Sequence, residues 1–167
     1  MDEARSAGLE AARRDLKISC AYGGSIPVQE SLGNGIAGLR RLIDNCAAAK
    51  ARTLLLGGIN KASLEQAYYK AIAECCDYAA EHGVPLAIKP HGPLNATGPA
   101  CRNHVESVGH WNFRLCYDPG SVCAYSEGKL DPVSDAASVE ELRPEPERLI
   151  YQACSRGCGS VVSRAAR

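Results

Sequence analysis

Apolar and polar positions along the chain follow two different periods, and the switches between them mark out the elements. Residues 2–16, rich in Ala, Arg, Glu and Leu, predict a helix. An apolar run over 17–22 predicts a strand, stopped by Gly23 and Gly24. From Val28 onward Leu32, Ile36, Leu39, Leu42, Ile43 and Cys46 recur at helical spacing, although Gly33, Gly35 and Gly38 weaken the start. Residues 53–56 predict a second strand, closed by Gly57 and Gly58. The next helix carries one apolar stripe through Leu64, Ala67, Tyr68, Ala71, Ile72, Cys75 and Ala79. Ser63 is its expected cap, with Gln66 three residues on, and Gly83 its expected left-handed terminator. A third strand over 84–88, a shorter helix over 97–108 and a fourth strand over 112–117 follow.

Strands that alternate with helices in this way predict βαβ units and a parallel sheet. Right-handed crossovers would bring the C-terminal ends of all the strands to one face. The spacing suits a (β/α) barrel or a doubly wound sheet, and no glycine-rich phosphate loop follows the first strand. After Pro132 the pattern decays. Residues 140–148 are charged and broken by Pro144 and Pro146, and 151–167 have no persistent period. The expected division is a folded domain over 1–136 and an irregular or disordered tail over 137–167, with a weak helix near 149–153.

The chain of 167 residues is long enough for one domain with a core. Its 19 basic and 19 acidic side chains cancel, so nothing in the balance attracts a nucleic-acid backbone or an anionic membrane. No apolar run approaches the roughly 20 residues of a membrane span. The start of the chain has no apolar signal core, and the expected location is cytoplasmic. Nine cysteines are present, but Cys20, Cys46, Cys75, Cys76 and Cys116 fall inside apolar patterns and read as reduced core side chains. Cys154 and Cys158 form at most half a metal site, because no second pair lies at a suitable distance.

Candidate chemistry sits at two strand ends. Residues 86–92 (Leu-Ala-Ile-Lys-Pro-His-Gly) and 115–120 (Leu-Cys-Tyr-Asp-Pro-Gly) each begin apolar and end polar. A buried parallel strand delivers functional groups to a sheet edge in this way. The groups are Lys89, His91 and Asp118, and Lys89 and His91 share a side if the strand continues. Each also has a bland reading: a solvated lysine, a hydrogen-bonded histidine at the mouth, an Asp-Pro-Gly turn. Asn60, Asn95 and Tyr125 follow strand ends on the same face. His82, His104 and His110 fall at helix ends or on the opposite face and are not expected to be catalytic.

The runs 83–92 and 109–120, with Asp131-Pro132, resemble the xylose-isomerase-like sugar phosphate isomerase/epimerase family. The resemblance implies an incomplete TIM barrel holding about four central βα units of the eight. It implies proton transfer next to a sugar carbonyl, assisted by a divalent metal (manganese, magnesium, cobalt or zinc). In this resemblance Asp118 matches a metal-binding aspartate, and His91 is a metal ligand or a catalytic donor to substrate. Asn95 is placed to bind a sugar hydroxyl. Lys89 stands where the family usually has a glutamate ligand, and an ammonium group cannot bind a metal. Lys89 then either donates to a substrate oxygen, acts as a base of lowered pKa, or marks an inactive site. No histidine follows His110, so the metal set is incomplete. The expected function is that of a sugar isomerase or epimerase. The alternative is a non-catalytic barrel fragment, stable only as a homo-oligomer or with a partner. A metal-dependent endonuclease of the related barrel type would need more His and acidic ligands and a basic groove.

Overall fold

The computed structural model describes residues 1–129 and the backbone of a strand at Leu149–Tyr151. The elements run α1 (Asp2–Arg13), β1 (Ala21–Gly24), α2 (Leu32–Ala48), β2 (Leu54–Leu56), α3 (Ala62–Ala73), α4 (Cys76–Glu81), β3 (Leu86–Ile88), α5 (Gly98–Val108), β4 (Phe113–Tyr117), α6 (Pro119–Tyr125) and β5 (Leu149–Tyr151). The five strands form one sheet in chain order, β1-β2-β3-β4-β5, and every pair is parallel. Sequential parallel strands joined by helices make a partial barrel, as the alternation predicts.

Alternate side chains along each strand separate two faces. Leu54, Leu56, Leu86, Ile88, Phe113, Leu115 and Tyr117 join the main core with the helices. Leu55, Ala87 and Cys116 form a second small cluster on the other face, with Cys20 against it. Burial on both faces explains why these strands read as unbroken apolar runs.

The first strand begins later than its hydrophobicity suggests. Its ladder starts where the Ala21 N–H reaches the Thr53 carbonyl, and it takes in the two glycines expected to stop it. A methyl group on Gly23 would lie 3.0 Å from Leu54 Cδ1 and 3.2 Å from Leu42 Cδ1, so the bare backbone lets α2 settle on the sheet.

Ser31 caps α2, its hydroxyl accepting from the Asn34 N–H at 3.0 Å. Gly35 and Gly38 do not break this helix. Both are buried, and a methyl group would come 2.5 Å from Val28 Cγ1 or 2.7 Å from Pro27 Cδ. They let the β1–α2 loop fold back onto the helix.

The long stripe from Leu64 to Ala79 is split into two helices. Lys61, not Ser63, is the N-cap, and no side-chain cap bond forms. The break at Glu74 and Cys75 keeps Ile72, Cys75, Cys76 and Ala79 buried, which is why the stripe reads as continuous. Buried Cys75 and Cys76 donate weakly to the carbonyls of Ile36 and Ile72, and burial pushes the Cys76 thiol up to about 12. Gly83 takes the expected left-handed conformation, φ +65.

Leu149–Tyr151, expected as part of a weak helix in the tail, is instead β5, in register with Leu115–Tyr117. Ile150 and Tyr151 are residue types that suit a strand, and β4 offers an unpaired edge. The rest of the expected tail, with Cys154 and Cys158, lies outside the described residues, as does Asp131 of the expected domain. No helix among the described residues is long and apolar enough to cross a membrane.

Substituting Gly35→Ala should destabilise the fold by about 1–3 kcal/mol through overpacking, despite alanine's better helix propensity. Gly33→Ala, where only Ser31 Oγ lies within 4 Å, should be neutral or stabilising. Urea unfolding of both variants checks this; equal stabilities would contradict the packing account.

Candidate functional site

Strand ends deliver the charged groups. Lys89 directly follows β3, and Asp118 directly follows β4 as the N-cap of α6. Lys89 Nζ donates to Asp118 Oδ2 at 3.0 Å and to Ser121 Oγ at 3.3 Å. Ser121 in turn donates its hydroxyl to Asp118 Oδ2 at 2.8 Å and its N–H to Oδ1 at 3.1 Å. The two charged side chains are only 21% and 14% exposed. Burial alone would raise the Asp118 carboxyl. The Ser121 hydroxyl, the Lys89 ammonium and the Ser121 N–H outweigh it and hold the group below its ordinary value. Asp118 therefore both closes the strand and caps α6.

His91 stands one turn of chain further out. Its N–H donates to the Asn95 carbonyl at 3.2 Å. Its ring Nδ1 shares a hydrogen bond with the Tyr125 hydroxyl at 2.9 Å, the rings meeting edge to face. Burial lowers the His91 pKa, and the like charge of Lys89 lowers it further against the opposing pull of Asp118. The imidazole is thus held neutral near pH 7.

Asn95 is not at the mouth. It is fully buried, and its Nδ2 donates to the Lys89 carbonyl at 2.7 Å. A methyl group on Gly58 would collide with its amide at 2.7 Å. Asn95 thus holds the end of β3 and packs against Gly58 after β2.

A cleft of about 500 Å³ opens beside these groups, with Tyr22, Gln29, Gly57, Asn60 and His91 on its walls. Tyr22 is 58% exposed. A methyl group on Gly57 would lie 2.6 Å from its hydroxyl and 3.3 Å from His91 Cδ2, so the glycine lets the two rings converge. Of the three strand-end groups His91 alone is on the cleft wall; Lys89 and Asp118 are not.

The remaining histidines are occupied elsewhere. His110 meets Asp77 at 3.0 Å and accepts from the Asn112 N–H. His104 stacks on Tyr69 at 4.1 Å, and His82 reaches the Tyr78 carbonyl.

These groups do not fit a divalent metal. No three His, Cys, Asp or Glu side chains converge among the described residues. Among the described residues Asp118 is the one carboxylate at the strand ends, and its oxygens already accept from Lys89 and Ser121. A divalent ion about 4 Å from the ammonium would be repelled by on the order of 8 kcal/mol at an effective dielectric of 20.

Sequence reasoning found Lys89, His91 and Asp118, which the fold brings together. It missed α6 and with it Ser121. The signal was present: Asp followed by Pro is a favoured N-cap and N1 pair, and it reads equally as a turn.

Two outcomes follow. Replacing Lys89→Gln removes the like charge, so the His91 pKa should rise; an NMR titration of its ring protons measures it, and no rise would contradict the coupling. The Asp118 contribution to stability should be fully present above the unfolded carboxyl's pKa of about 3.9 and lost as pH falls through the lower folded value. Denaturant midpoints against pH should show this loss in the wild type and not in Asp118→Asn.

Comparison with known proteins matches this architecture. A model of the xylose isomerase-like TIM barrel family matches residues 2–152. A D-psicose 3-epimerase solved in the presence of D-fructose is 17% identical, with TM-score 0.69, over 90% of this chain and 56% of that one. A probable 3-DHS dehydratase from Bacillus anthracis is 17% identical, with TM-score 0.64, over 84% and 53%. A xylose isomerase-like protein from Mycobacterium smegmatis, solved in complex with magnesium, is 18% identical, with TM-score 0.63, over 77% and 50%. The chain thus spans about half the length of these structures. No curated protein matches it. By the family match over residues 2–152 and by its parallel sheet in chain order, the chain belongs to the xylose isomerase-like TIM barrel family.

Proposed function

We propose that the cleft binds a small ketose or a related polyhydroxylated carbonyl compound, and that His91 moves the proton next to its carbonyl. The reading is that of a sugar isomerase or epimerase. The observation that carries it is a neutral histidine set between an open cleft and a half-buried ammonium. Tyr22 offers an aromatic face to the apolar side of a sugar ring, and Gln29 and Asn60 offer amides to its hydroxyls.

Removal of the proton drives negative charge onto the carbonyl oxygen, giving an enediolate. Lys89 is off the cleft wall and contributes fixed positive charge at longer range, and Asp118 with Ser121 keeps that charge in place. Return of the proton to the neighbouring carbon, with the hydroxyl proton passing to the former carbonyl oxygen, gives the isomerised sugar. Tyr125 orients the imidazole through Nδ1, which leaves Nε2 for the proton transfer.

The test is hydrogen–deuterium exchange followed by NMR on a panel of ketoses, run with the whole chain. Deuterium should enter at the carbon beside the carbonyl, and His91→Gln should slow this by about 10²–10⁴. Binding of sugar without exchange on any ketose would contradict the catalytic reading and favour the non-catalytic barrel.

A further inference from the structure

We propose that the Lys89 ammonium is a built-in cation standing at Asp118 in place of a divalent metal, so that the site's positive charge comes from the chain itself. The proposal does not rest on the sugar reading, since a chain that bound no ketose would still give the metal result described below.

Three observations converge on it. The ammonium lies against one carboxylate oxygen at 3.0 Å, and Ser121 holds the same carboxylate through both of its oxygens. Asp118 thus accepts three hydrogen bonds, which serve one cation and one helix cap. The lysine backbone is fixed as well: its N–H donates to the Leu56 carbonyl at 3.2 Å, and its own carbonyl accepts from buried Asn95 at 2.7 Å. A side chain anchored at both ends is a positioned charge and not a solvated one. Finally, an ammonium has three N–H donors. Among the described residues Asp118 and Ser121 accept from two of them, so the charge is held by its own neighbours.

Chain length makes the idea testable by one substitution. A glutamate oxygen lies one bond, about 1.5 Å, short of the position of a lysine nitrogen. Lys89→Glu would therefore widen the 3.0 Å contact towards the roughly 4 Å that two oxygens span across a divalent ion bound at 2.0–2.1 Å. It would also bring a second carboxylate and remove the repelling charge.

The experiment is a Mn²⁺ titration of the full chain, read by calorimetry and by paramagnetic broadening of the His91 ring signals. Wild type should show no stoichiometric binding up to about 1 mM, whereas Lys89→Glu should bind at least about 100-fold more tightly. Adding Asp118→Asn to Lys89→Glu should abolish that gain. Should Lys89→Glu fail to fold, Lys89→Gln replaces it, with His91 broadening expected at about tenfold lower Mn²⁺ than in wild type. Two results would overturn the proposal: stoichiometric Mn²⁺ binding by wild type that Asp118→Asn weakens, or a folded Lys89→Glu or Lys89→Gln protein that binds no better than wild type.

Discussion

Lys89 and Asp118 meet 3.0 Å apart at the ends of two neighbouring strands, and most of the site's organisation follows from keeping them there. Each charge is largely removed from water, so each needs a partner; removal of either partner from a buried pair typically costs about 3–5 kcal/mol. Ser121 completes the arrangement by accepting from the ammonium and donating to the carboxylate. The pair therefore fastens β3 to the β4–α6 corner. It also fixes the start of α6, whose far end carries Tyr125 to His91. One ion pair thus sets the orientation of the imidazole two residues further along the chain.

The same pair explains the electrostatics around it. The Ser121 hydroxyl and the ammonium together lower the Asp118 carboxyl against its burial, and burial with the ammonium's repulsion lowers the His91 imidazole. Below them Cys116 is pushed up to about 12, chiefly by burial, and stays a neutral thiol. The result is an ion pair whose two charges are fixed in place, on a sheet whose inner cluster of Leu55, Ala87 and Cys116 is uncharged. Such a site discourages a second cation. Relatives such as the magnesium-bound protein from Mycobacterium smegmatis share the fold with this chain, while the chemistry of its strand ends depends on its own side chains.

Much of the fold was legible in the sequence because both faces of the sheet are apolar and the helices carry long stripes. The four strand–helix alternations, the Gly83 terminator and the clustering of Lys89, His91 and Asp118 all rest on such strong local signals. The failures have physical causes. The Leu64–Ala79 stripe hid a helix break, because the break preserves the buried face. Gly35 and Gly38 read as weakening the start of their helix, yet they serve close packing against Val28 and Pro27, which lie outside the helix itself. Leu149–Tyr151 is too short for periodicity to identify, and its pairing partner is remote in sequence. Asn95 looked like a mouth residue because it follows a strand, but its amide is taken by the Lys89 carbonyl.

The central claim is that the Lys89 ammonium is held on the Asp118 carboxylate. Nitrogen-detected NMR of protein labelled with ¹⁵N-lysine tests it most directly. A held ammonium gives a slowly exchanging Nζ signal that shifts as Asp118 titrates and collapses to the solvent-exposed position in Asp118→Asn. An Nζ signal indistinguishable from those of the exposed lysines, and unmoved by Asp118→Asn, would contradict the account.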